Sequence, residues 1–357
     1  MTIKSLKFGA LTLETPTILA PMEGVTDRPF RRLIRTLGGC GLTVTEFISS
    51  EQLTKDSQRA WRRAEFDPDE HPVSIQIYGR DPDHLAMAAK ACEAFGADAI
   101  DLNMGCPSKQ VTSGCSGSAL MKEPEHASRI FKAIRAAISV PFSVKMRLGW
   151  DETSINAPEI AQRAEDAGAQ MVTVHGRTRM QMYRGQADWS AIAAVSQSVN
   201  IPVVVNGDIL TVTDAVNALK QSEADAVMVG RGILRDPWLL LKITTHLSGQ
   251  PIYEPSLEER RAHILKYFEI LRSETKTEKS AIGRMKKATG FFTRGLPYGR
   301  DVRDQIYHSF SASAVYAAID AYFERLEREG LSKEFNRIHI DETIEQRNDD
   351  RSLQRAQ

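Results

Sequence analysis

The stretch that decides the fold is Pro202-Val203-Val204-Val205-Asn206-Gly207-Asp208, in which three β-branched residues lead into a polar turn. Three successive valines predict a strand that is buried on both faces, as in a parallel sheet. Similar apolar runs alternate with helical segments along the chain. The predicted strands are Thr17–Ala20, Leu42–Thr45, Val73–Ile77, Ala99–Asn103, Phe142–Lys145, Met171–His175, Pro202–Asn206 and Ala226–Val229. This succession favours a (β/α)8 barrel, the TIM barrel of the α/β class, over an open sheet.

The alternation ends near residue 249, where Pro251 and Pro255 mark a linker. Beyond them, Leu257–Ser273 and Ala314–Glu329 have the periodicity of amphipathic helices, and no strand-like run follows. The polar composition of the last residues is typical of a disordered segment. We therefore predict a barrel domain over residues 1–249, a small all-helical domain over residues 250–335 and a disordered tail over residues 336–357.

Composition and charge narrow the class of protein. Lys plus Arg and Asp plus Glu both number 46, so the formal charge is zero, and 42% of the residues are hydrophobic. Such a chain can bury a substantial core, and it can hold a polyanionic partner only through a local basic patch. We find neither a secretory signal pattern nor an apolar run close to the roughly 20 residues that cross a bilayer. We therefore expect a cytoplasmic protein that does not associate with membranes.

The four cysteines form neither a CxxC pair nor a cluster with zinc-binding spacing, so we predict no metal site and no disulfide framework. Cys40 and Cys92 lie in apolar segments and are expected to be buried packing residues. Cys106 and Cys115 share the loop after the fourth strand. A thiol there with a roughly unperturbed pKa near 8.5 can act as a general acid or as a nucleophile. Spacing alone leaves both cysteines open for that role.

Polar and glycine residues stand at the carboxyl end of strand after strand. They are Pro21-Met22, Gln76, Asn103, Lys145, Arg147, His175, Asn206-Gly207-Asp208 and Gly230-Arg231-Gly232. Active sites of (β/α)8 barrels lie at that end of the strands. A barrel without a site needs no such concentration of polar groups on one rim. The pattern therefore predicts a functional site there.

The turns after the seventh and eighth strands have the composition of a phosphate site. The glycines of Asn206-Gly207 and Gly230-Arg231-Gly232 let backbone amides approach a phosphate, and Arg231 adds a bidentate donor. Lys145 is a cation that suits a flavin, because a positive charge near N1 stabilises the reduced ring. The alternatives are a rim salt bridge for Lys145 and a packed core histidine for His175.

Four motifs follow one another along the chain. They are Leu19-Ala20-Pro21-Met22-Glu23-Gly24-Val25-Thr26-Asp27, Asn103-Met104-Gly105-Cys106-Pro107, Lys145-Met146-Arg147, and His175-Gly176-Arg177-Thr178-Arg179 running to Gln181-Met182-Tyr183-Arg184-Gly185. Any one of them would be a weak signal. In this combination and order the chain resembles the bacterial tRNA-dihydrouridine synthase family, with most similarity to its B-type subgroup. The resemblance covers roughly residues 10–325.

The resemblance implies bound FMN, NADPH as reductant and tRNA as substrate. It also implies reduction of the C5–C6 double bond of specific uridines, with hydride passing from flavin N5 to C6 and a proton from a cysteine to C5. The family's catalytic cysteine falls on Cys106 rather than Cys115. Its flavin contacts fall on Pro21, Met22, Gln76, Lys145, His175, Asn206, Gly207, Asp208, Gly230 and Arg231, and its uracil-facing contacts on Asn103, Lys145, Arg147 and Tyr183.

Residues 283–303 combine basic and aromatic side chains, a mixture that suits RNA phosphates and stacked bases. The basic residues are Arg284, Lys286, Lys287, Arg294, Arg300 and Arg303, and Phe291, Phe292 and Tyr298 lie among them. We predict that Arg284, Lys286 and Lys287 contact the tRNA. The alternative is a solvated helix face whose two phenylalanines belong to the core. The segment resembles the B-type motif Arg-Lys-His then Trp-Tyr, but Ala288 replaces the histidine and Phe291 the tryptophan.

Two other functions fit parts of this pattern. One is an FMN-dependent barrel reductase that acts on a small molecule, such as a free pyrimidine, dihydroorotate or an enone, and that needs no basic helical domain. The other is a non-catalytic RNA-binding factor that has kept the barrel. No GxGxxG follows any strand, which fits a nicotinamide cofactor that visits the flavin without a dedicated domain. The sequence implies no stable protein partner.

Overall fold

A computed structural model describes residues 5–293 and 296–331, which form two compact units. The first unit runs to Gly232 and includes Leu239–Pro251. The second contains Ile233–Trp238 and the chain from Ile252 onward. A short segment before the expected linker thus belongs to the second unit, which the sequence did not indicate. The tail predicted over residues 336–357 lies outside the described residues.

Closure of a parallel sheet produces the barrel of the first unit. The strands are β1 (Leu6–Phe8), β2 (Leu11–Leu13), β3 (Thr17–Leu19), β4 (Leu42–Val44), β5 (Ile48–Ser49), β6 (Val73–Tyr78), β7 (Ala99–Met104), β8 (Phe142–Arg147), β9 (Met171–His175), β10 (Val203–Asn206) and β11 (Ala226–Val229). All pairings among β3–β11 are parallel, in the order β4-β3-β11-β10-β9-β8-β7-β6, and β4 pairs with β6 to close the ring. The short β5 continues beside β6. The predicted (β/α)8 barrel is confirmed.

Helices follow the barrel strands around the outside. In the first unit they are α1 (Arg28–Leu37), α2 (Ser50–Thr54), α3 (Gln58–Ala64), α4 (Pro82–Ala94), α5 (Lys109–Thr112), α6 (Pro124–Ala137), α7 (Ala157–Asp166), α8 (Ser190–Ser196), α9 (Val212–Ser222) and α10 (Leu239–Leu247). Several begin at sequence signals: Asp27 and Asp81 cap α1 and α4 through their carboxylates, and each is followed by a proline in the first turn. These caps fix the residues at which α1 and α4 begin.

The antiparallel hairpin of β1 and β2 was not predicted from the sequence, because each strand is only three residues long. Its apolar residues Leu6, Phe8 and Leu13 are buried in one hydrophobic cluster with residues at the amino-terminal part of the barrel interior. The other members of that cluster are Ile18, Ala20, Leu42, Val44, Ala99, Met171, Val204, Ala226 and Met228. The hairpin therefore fills the amino-terminal end, and the polar interior lies at the opposite end.

The second unit is helical throughout its described part. Its helices are α11 (Leu257–Ser273), α12 (Glu278–Thr293), α13 (Gly299–Tyr307) and α14 (Ala312–Arg328). The sequence predicted α11 and α14. It missed α12 and α13, because Gly283 and Gly290 weaken the periodicity of α12, and α13 begins after Tyr298 in the left-handed conformation, with φ 55°. Among the described residues, no helix is both long enough and apolar enough to cross a membrane.

Candidate active site

Side chains alternate between the two faces of each strand, and polar side chains point into the barrel. Ser143, Lys145 and Arg147 alternate on β8 with Val144 and Met146, which are buried on the other face. The parallel register sets Lys145 beside Asn103 of β7 and Thr173 of β9. It also sets Arg147 beside His175, and His175 beside Asn206. The predicted site residues of β7–β10 therefore occupy one layer at the carboxyl ends of the strands.

Lys145 is a half-buried cation that is held by an amide. Its Nζ donates to Oδ1 of Asn206 at 3.0 Å, and the Nδ2 of Asn206 donates to the carbonyl of Met228 at 2.8 Å. Burial, reinforced by the nearby charge of Arg147, lowers the pKa of Lys145 to about 8. The side chain is thus mostly charged at neutral pH, but its pKa lies close to that pH. The alternative of a rim salt bridge does not describe this lysine, because its hydrogen-bond partner is neutral.

His175 has an unused ring nitrogen inside the barrel mouth. Its Nδ1 is buried and has no hydrogen-bond partner. Burial, together with the charges of Arg147 and Lys145, holds the pKa of His175 well below its ordinary value, so the ring is neutral. Buried polar atoms without a partner are costly, and a satisfied core histidine would show a partner. The alternative of a satisfied core histidine therefore does not describe His175.

Asp208 organises the arginines of the predicted phosphate turn. One carboxylate oxygen accepts from Arg177 at 3.0 Å and from Arg231 at 3.1 Å. The other accepts from Arg177 at 2.5 Å and from the backbone N–H of Ala187 at 2.7 Å. Protein donors thus engage both oxygens. Asp208 can therefore affect the binding of an anionic ligand only indirectly, by holding Arg231. The sequence did not indicate that Arg177, which is almost completely buried, takes part in this cluster.

Gly207 occupies a position that admits no side chain. Its φ is +114°, and an added Cβ would lie 2.8 Å from Cβ of Ala187 and 3.3 Å from Cε1 of His175. The turn is further fixed by Trp189, whose Nε1 donates to the carbonyl of Gly207 at 2.8 Å. The backbone at this turn is therefore held rigidly beside the unpartnered histidine, with room kept clear by the absent Cβ.

The loop after β7 holds Cys106 by its main chain. Oδ1 of Asn103 accepts from the backbone N–H groups of Gly105 at 3.0 Å and Cys106 at 2.8 Å. Burial raises the pKa of the Cys106 thiol, although Arg147 and Lys145 oppose that shift. The expectation of a roughly unperturbed pKa was wrong, because the Cys106 side chain is half-buried. Cys115 is the exposed thiol, and Cys40 and Cys92 are buried as predicted.

Arg147 ties two loops of the rim together. Its Nε donates to the carbonyl of Gly105 at 2.8 Å, and its Nη1 donates to the carbonyls of Thr178 at 2.9 Å and Met182 at 2.8 Å. The guanidinium carbon also lies 5.6 Å from the ring centroid of Tyr183, and that of Arg231 lies 5.2 Å from the same ring. Tyr183 is thus held between two cations. Burial lowers the pKa of Arg147 to about 10.

The remaining predicted rim residues are also connected to this layer. The backbone N–H of Met22 donates to the hydroxyl of Thr26 at 2.9 Å, which shapes the turn that follows Pro21. Gly230 lies beside it, since a Cβ added there would be 3.7 Å from Sδ of Met22. Gln76 and Asn103 are joined by a hydrogen bond of 2.8 Å. The rim residues predicted after different strands are therefore neighbours in space.

Arg284, Lys286 and Lys287, the residues predicted to contact RNA, lie on α12 of the second unit. Lys286 is accompanied by aromatic residues that the sequence analysis did not single out. Its Nζ lies 5.6 Å from the ring centroid of Tyr307 and 5.5 Å from that of Phe310. Those rings are 69% and 90% exposed. No group of His, Cys, Asp and Glu among the described residues has the arrangement of a metal site.

A closed parallel barrel with a half-buried cation, a histidine with an unpartnered Nδ1 and a half-buried thiol at its carboxyl-terminal rim makes the first unit a (β/α)8-barrel enzyme domain. The chain belongs to the dihydrouridine synthase family, since the model described as "Dihydrouridine synthase (Dus)" matches residues 18–327. That match extends over both units.

Several named proteins are similar to this chain over most of its length. "Probable tRNA-dihydrouridine synthase" of Rickettsia conorii is 40% identical over 332 residues, which cover 92% of this chain and 100% of that protein. A protein of the same name from Rhodobacter capsulatus is 50% identical over 69% of this chain and 76% of its own length. "tRNA-dihydrouridine synthase B" of Pseudomonas aeruginosa is 36% identical over 91% of this chain and 98% of its own length.

Proposed function

We propose that this protein reduces the C5–C6 double bond of specific uridines in tRNA to 5,6-dihydrouridine. Membership of the dihydrouridine synthase family and the names of its relatives support that activity. The observation that carries it is the Cys106 thiol, which is shielded and has a raised pKa on the same rim as Lys145 and His175. A protonated thiol can give a proton to a substrate carbon.

The rim has the properties that FMN needs. The neutral ring of His175 lies beside the Gly207 turn, and Lys145 and Arg231 supply positive charge for an anionic ligand. We propose that the residues holding FMN are Pro21, Met22, Gln76, Lys145, His175, Asn206, Gly207, Gly230 and Arg231, with Asp208 acting through Arg231. When bound and reduced by NADPH, FMN supplies the hydride for C6 of the uracil.

The chain's own groups handle the proton and the charge. Because its pKa is raised, Cys106 stays protonated at neutral pH and can donate its proton to C5. The thiolate left behind is stabilised by Lys145 and Arg147, the two cations that oppose the shift in its pKa. Asn103, Arg147 and Tyr183 are proposed to face the uracil, where Lys145 and Arg147 would stabilise negative charge on its C4 carbonyl side.

We propose that residues 250–335 bind the tRNA and residues 1–249 form the flavin-binding catalytic domain. On α12 the basic residues Arg284, Lys286 and Lys287 suit phosphate, and the exposed rings of Tyr307 and Phe310 beside Lys286 suit unpaired bases. Extruding a uridine from folded RNA costs a few kcal/mol, which such contacts can offset.

Phe292 does not take part in this RNA surface. It is buried and packs at 6.1 Å, between ring centroids, from both Trp238 and Tyr267. For Phe292, the alternative interpretation of the sequence, in which this residue belongs to the core, is therefore confirmed. We also propose that the protein works in the cytoplasm, where its tRNA substrate is found, and without a stable protein partner.

The test is a single-turnover experiment on the reduced holoenzyme. Purified protein is checked for a flavin spectrum, reduced with NADPH and mixed with tRNA that lacks dihydrouridine, with uridine, or with dihydroorotate. Of the three substrates, we expect only tRNA to reoxidise the flavin rapidly. We also expect mass spectrometry to detect dihydrouridine in that RNA. Rapid reoxidation by a small molecule would support the alternative reductase. A colourless protein that FMN cannot reconstitute would overturn the proposal.

A further inference from the structure

Asp101 is a buried carboxylate for which the proposed function has no role. It lies in the middle of β7 and is only 3% exposed. Its Oδ1 accepts a hydrogen bond from the hydroxyl of Ser143 at 2.6 Å, and its Oδ2 accepts one from Nε2 of Gln76 at 2.6 Å. Both partners come from neighbouring strands of the barrel, so the carboxylate lies directly beneath the rim layer.

The hydrogen bonds that leave Asp101 have only one consistent direction. An ionised carboxylate can only accept, so Gln76 must turn its NH2 group toward Asp101 and its Oε1 away. Oε1 then accepts from Nδ2 of Asn103 at 2.8 Å. This leaves Oδ1 of Asn103 to accept from the backbone N–H groups of Gly105 and Cys106. The two backbone N–H groups can only donate, so they fix the Asn103 amide at one end of the chain, while Asp101 holds the Gln76 amide at the other end.

We propose that Asp101 is a positioning residue that anchors the Gln76 and Asn103 amides and, through them, the main chain of Cys106. What the positioned thiol does rests on the proposed function, whereas the hydrogen-bond chain does not. Protonated Asp101 can still accept from Gln76 through its carbonyl oxygen while its O–H donates to Ser143, so the anchor depends on the accepting oxygen and not on the charge. Removing that oxygen leaves the NH2 group of Gln76 without its partner and loosens the loop.

Hydrogen bonds and a nearby cation favour the ionised form of Asp101 and oppose the effect of burial on its pKa. Burial raises the pKa of Asp101 to about 6, while the hydrogen bonds from Gln76 and Ser143 and the charge of Lys145 oppose the rise. Lys145 is the charged group on β8 that influences this carboxyl, and His175 on β9 is neutral. We therefore expect Asp101 to be ionised at neutral pH and to become protonated as the pH falls through about 6, with its acceptor toward Gln76 kept in both forms.

Two substitutions separate the accepting role from the charge. Asp101→Asn can still accept from Gln76 through Oδ1 while its NH2 group donates to Ser143, so the amide directions survive without a titrating group. Asp101→Leu has a similar size and cannot accept. In single turnover with tRNA we expect Asp101→Leu to be about 10- to 100-fold slower than the native protein. We expect Asp101→Asn to stay within about threefold, because it keeps the acceptor for Gln76.

A second readout does not depend on tRNA. The holoenzyme is treated with iodoacetamide at pH 7.5, and modification of Cys106 is measured by mass spectrometry against the exposed Cys115 in the same molecule. Releasing the loop should raise the ratio of Cys106 to Cys115 modification in Asp101→Leu but not in Asp101→Asn. An unchanged ratio in Asp101→Leu would overturn the proposal. A raised ratio in a protein without tRNA activity would leave this inference standing while the proposed function failed.

Ser143→Ala tests the anchor without changing the carboxylate of Asp101. It removes the hydrogen bond to Oδ1, so Asp101 is held less firmly, and the ratio of Cys106 to Cys115 modification should rise, though by less than in Asp101→Leu. Ser74→Ala is the matched control, because its hydroxyl is also buried in the barrel but has no hydrogen-bond partner. An equal ratio in Ser143→Ala and Ser74→Ala would overturn the role of Asp101. This comparison holds even if Asp101→Leu fails to fold.

Discussion

The main-chain carbonyl of Cys106 accepts two hydrogen bonds from Ser118, one from the backbone N–H at 3.2 Å and one from the hydroxyl at 2.8 Å. This pair closes the loop between them and leaves Cys115, inside that loop, exposed. A Cβ on Gly117 would approach the Cys106 carbonyl oxygen to 3.0 Å, so a glycine keeps the closure tight. The two cysteines of one loop therefore have opposite environments, a shielded and fixed one for Cys106 and an open one for Cys115.

This contrast makes a direct prediction for the two thiols. Cys106→Ala should keep its flavin spectrum and tRNA affinity but lose about 100-fold or more in the reoxidation of reduced flavin by tRNA, since a positioned general acid contributes about 10²–10⁴. Cys115→Ala is the matched control and should react at the native rate. Full activity in Cys106→Ala, or loss confined to Cys115→Ala, would contradict the assignment. Rapid mixing with absorbance detection measures both.

The lowered pKa of Lys145 predicts an alkaline limit to the reaction. The ammonium is present below its pKa of about 8 and is lost above it, while the raised pKa of Cys106 keeps the thiol protonated over this range. The rate with tRNA should therefore fall as the pH rises through about 8. Lys145→Arg keeps the charge and should move this limb to higher pH, even if the rate at pH 7 is lower. A limb that stays near pH 8 in Lys145→Arg would assign it to another group.

The arginine cluster predicts a stability effect at Asp208. Arg177 is 2% exposed and has its charge partner in Asp208. Breaking a buried pair on one side costs about 3–5 kcal/mol, and the partial exposure of Asp208 places the expected loss at about 2–3 kcal/mol. Asp208→Asn should lower the midpoint of thermal unfolding and weaken FMN binding, because Arg231 loses the same partner.

Two measurements separate these effects. Thermal unfolding is followed on protein stripped of flavin, and FMN affinity is measured by the quenching of its fluorescence. Glu51→Gln is the control, because its pair with Lys55 is exposed and its loss should not move the midpoint measurably. An unfolding midpoint in Asp208→Asn equal to that of the control would show that Arg177 finds another partner.

The barrel could be predicted from the sequence because its strands are short apolar runs of fixed spacing. The bounds predicted for Met171–His175 and Ala226–Val229 are those observed, and β8 continues two residues beyond the predicted Lys145. The extension has a physical reason. Met146 is buried on the outer face of the sheet, while Arg147 forms hydrogen bonds on the inner face, so the alternation of side chains continues through polar residues. A pattern judged by hydrophobicity ends too early when the inner face is polar.

The site could be predicted only where a side chain stands at a strand end. Asp101 and Ser143 lie one pleat deeper and were missed, although a carboxylate within Ala99-Ile100-Asp101-Leu102 was an available signal. Arg177 was part of a quoted motif, but its partner Asp208 lies 31 residues away, and no local pattern shows that pairing. The sequence therefore indicates the rim, while the groups that orient it follow from the register between strands.

The basic residues of α12 predict a salt-dependent loss of affinity. Lys286→Glu combined with Lys287→Glu should weaken tRNA binding and reduce the slope of log affinity against log salt by about 1–2, because fewer counterions are released. Oxidation of NADPH by the flavin should not change. Lys132→Glu with Lys220→Glu, two substitutions on α6 and α9 of the first unit, is a control of equal charge. An unchanged slope in the α12 variant would exclude these lysines as phosphate contacts.

The exposed rings predict a loss of affinity without a change in salt dependence. Phe310→Ala and Tyr307→Ala remove apolar surface that is 90% and 69% exposed, so neither should lower the stability of the fold. Stacking of a base on an aromatic ring is worth about 1–3 kcal/mol, so each variant should bind tRNA at least about fivefold more weakly. The salt slope should stay native, because no charge is removed. Met87→Ala, at a side chain 58% exposed on α4, controls for loss of exposed apolar surface. Native affinity in Phe310→Ala would show that no base rests on this ring, whereas restored affinity in Phe310→Trp would identify stacking as the contact.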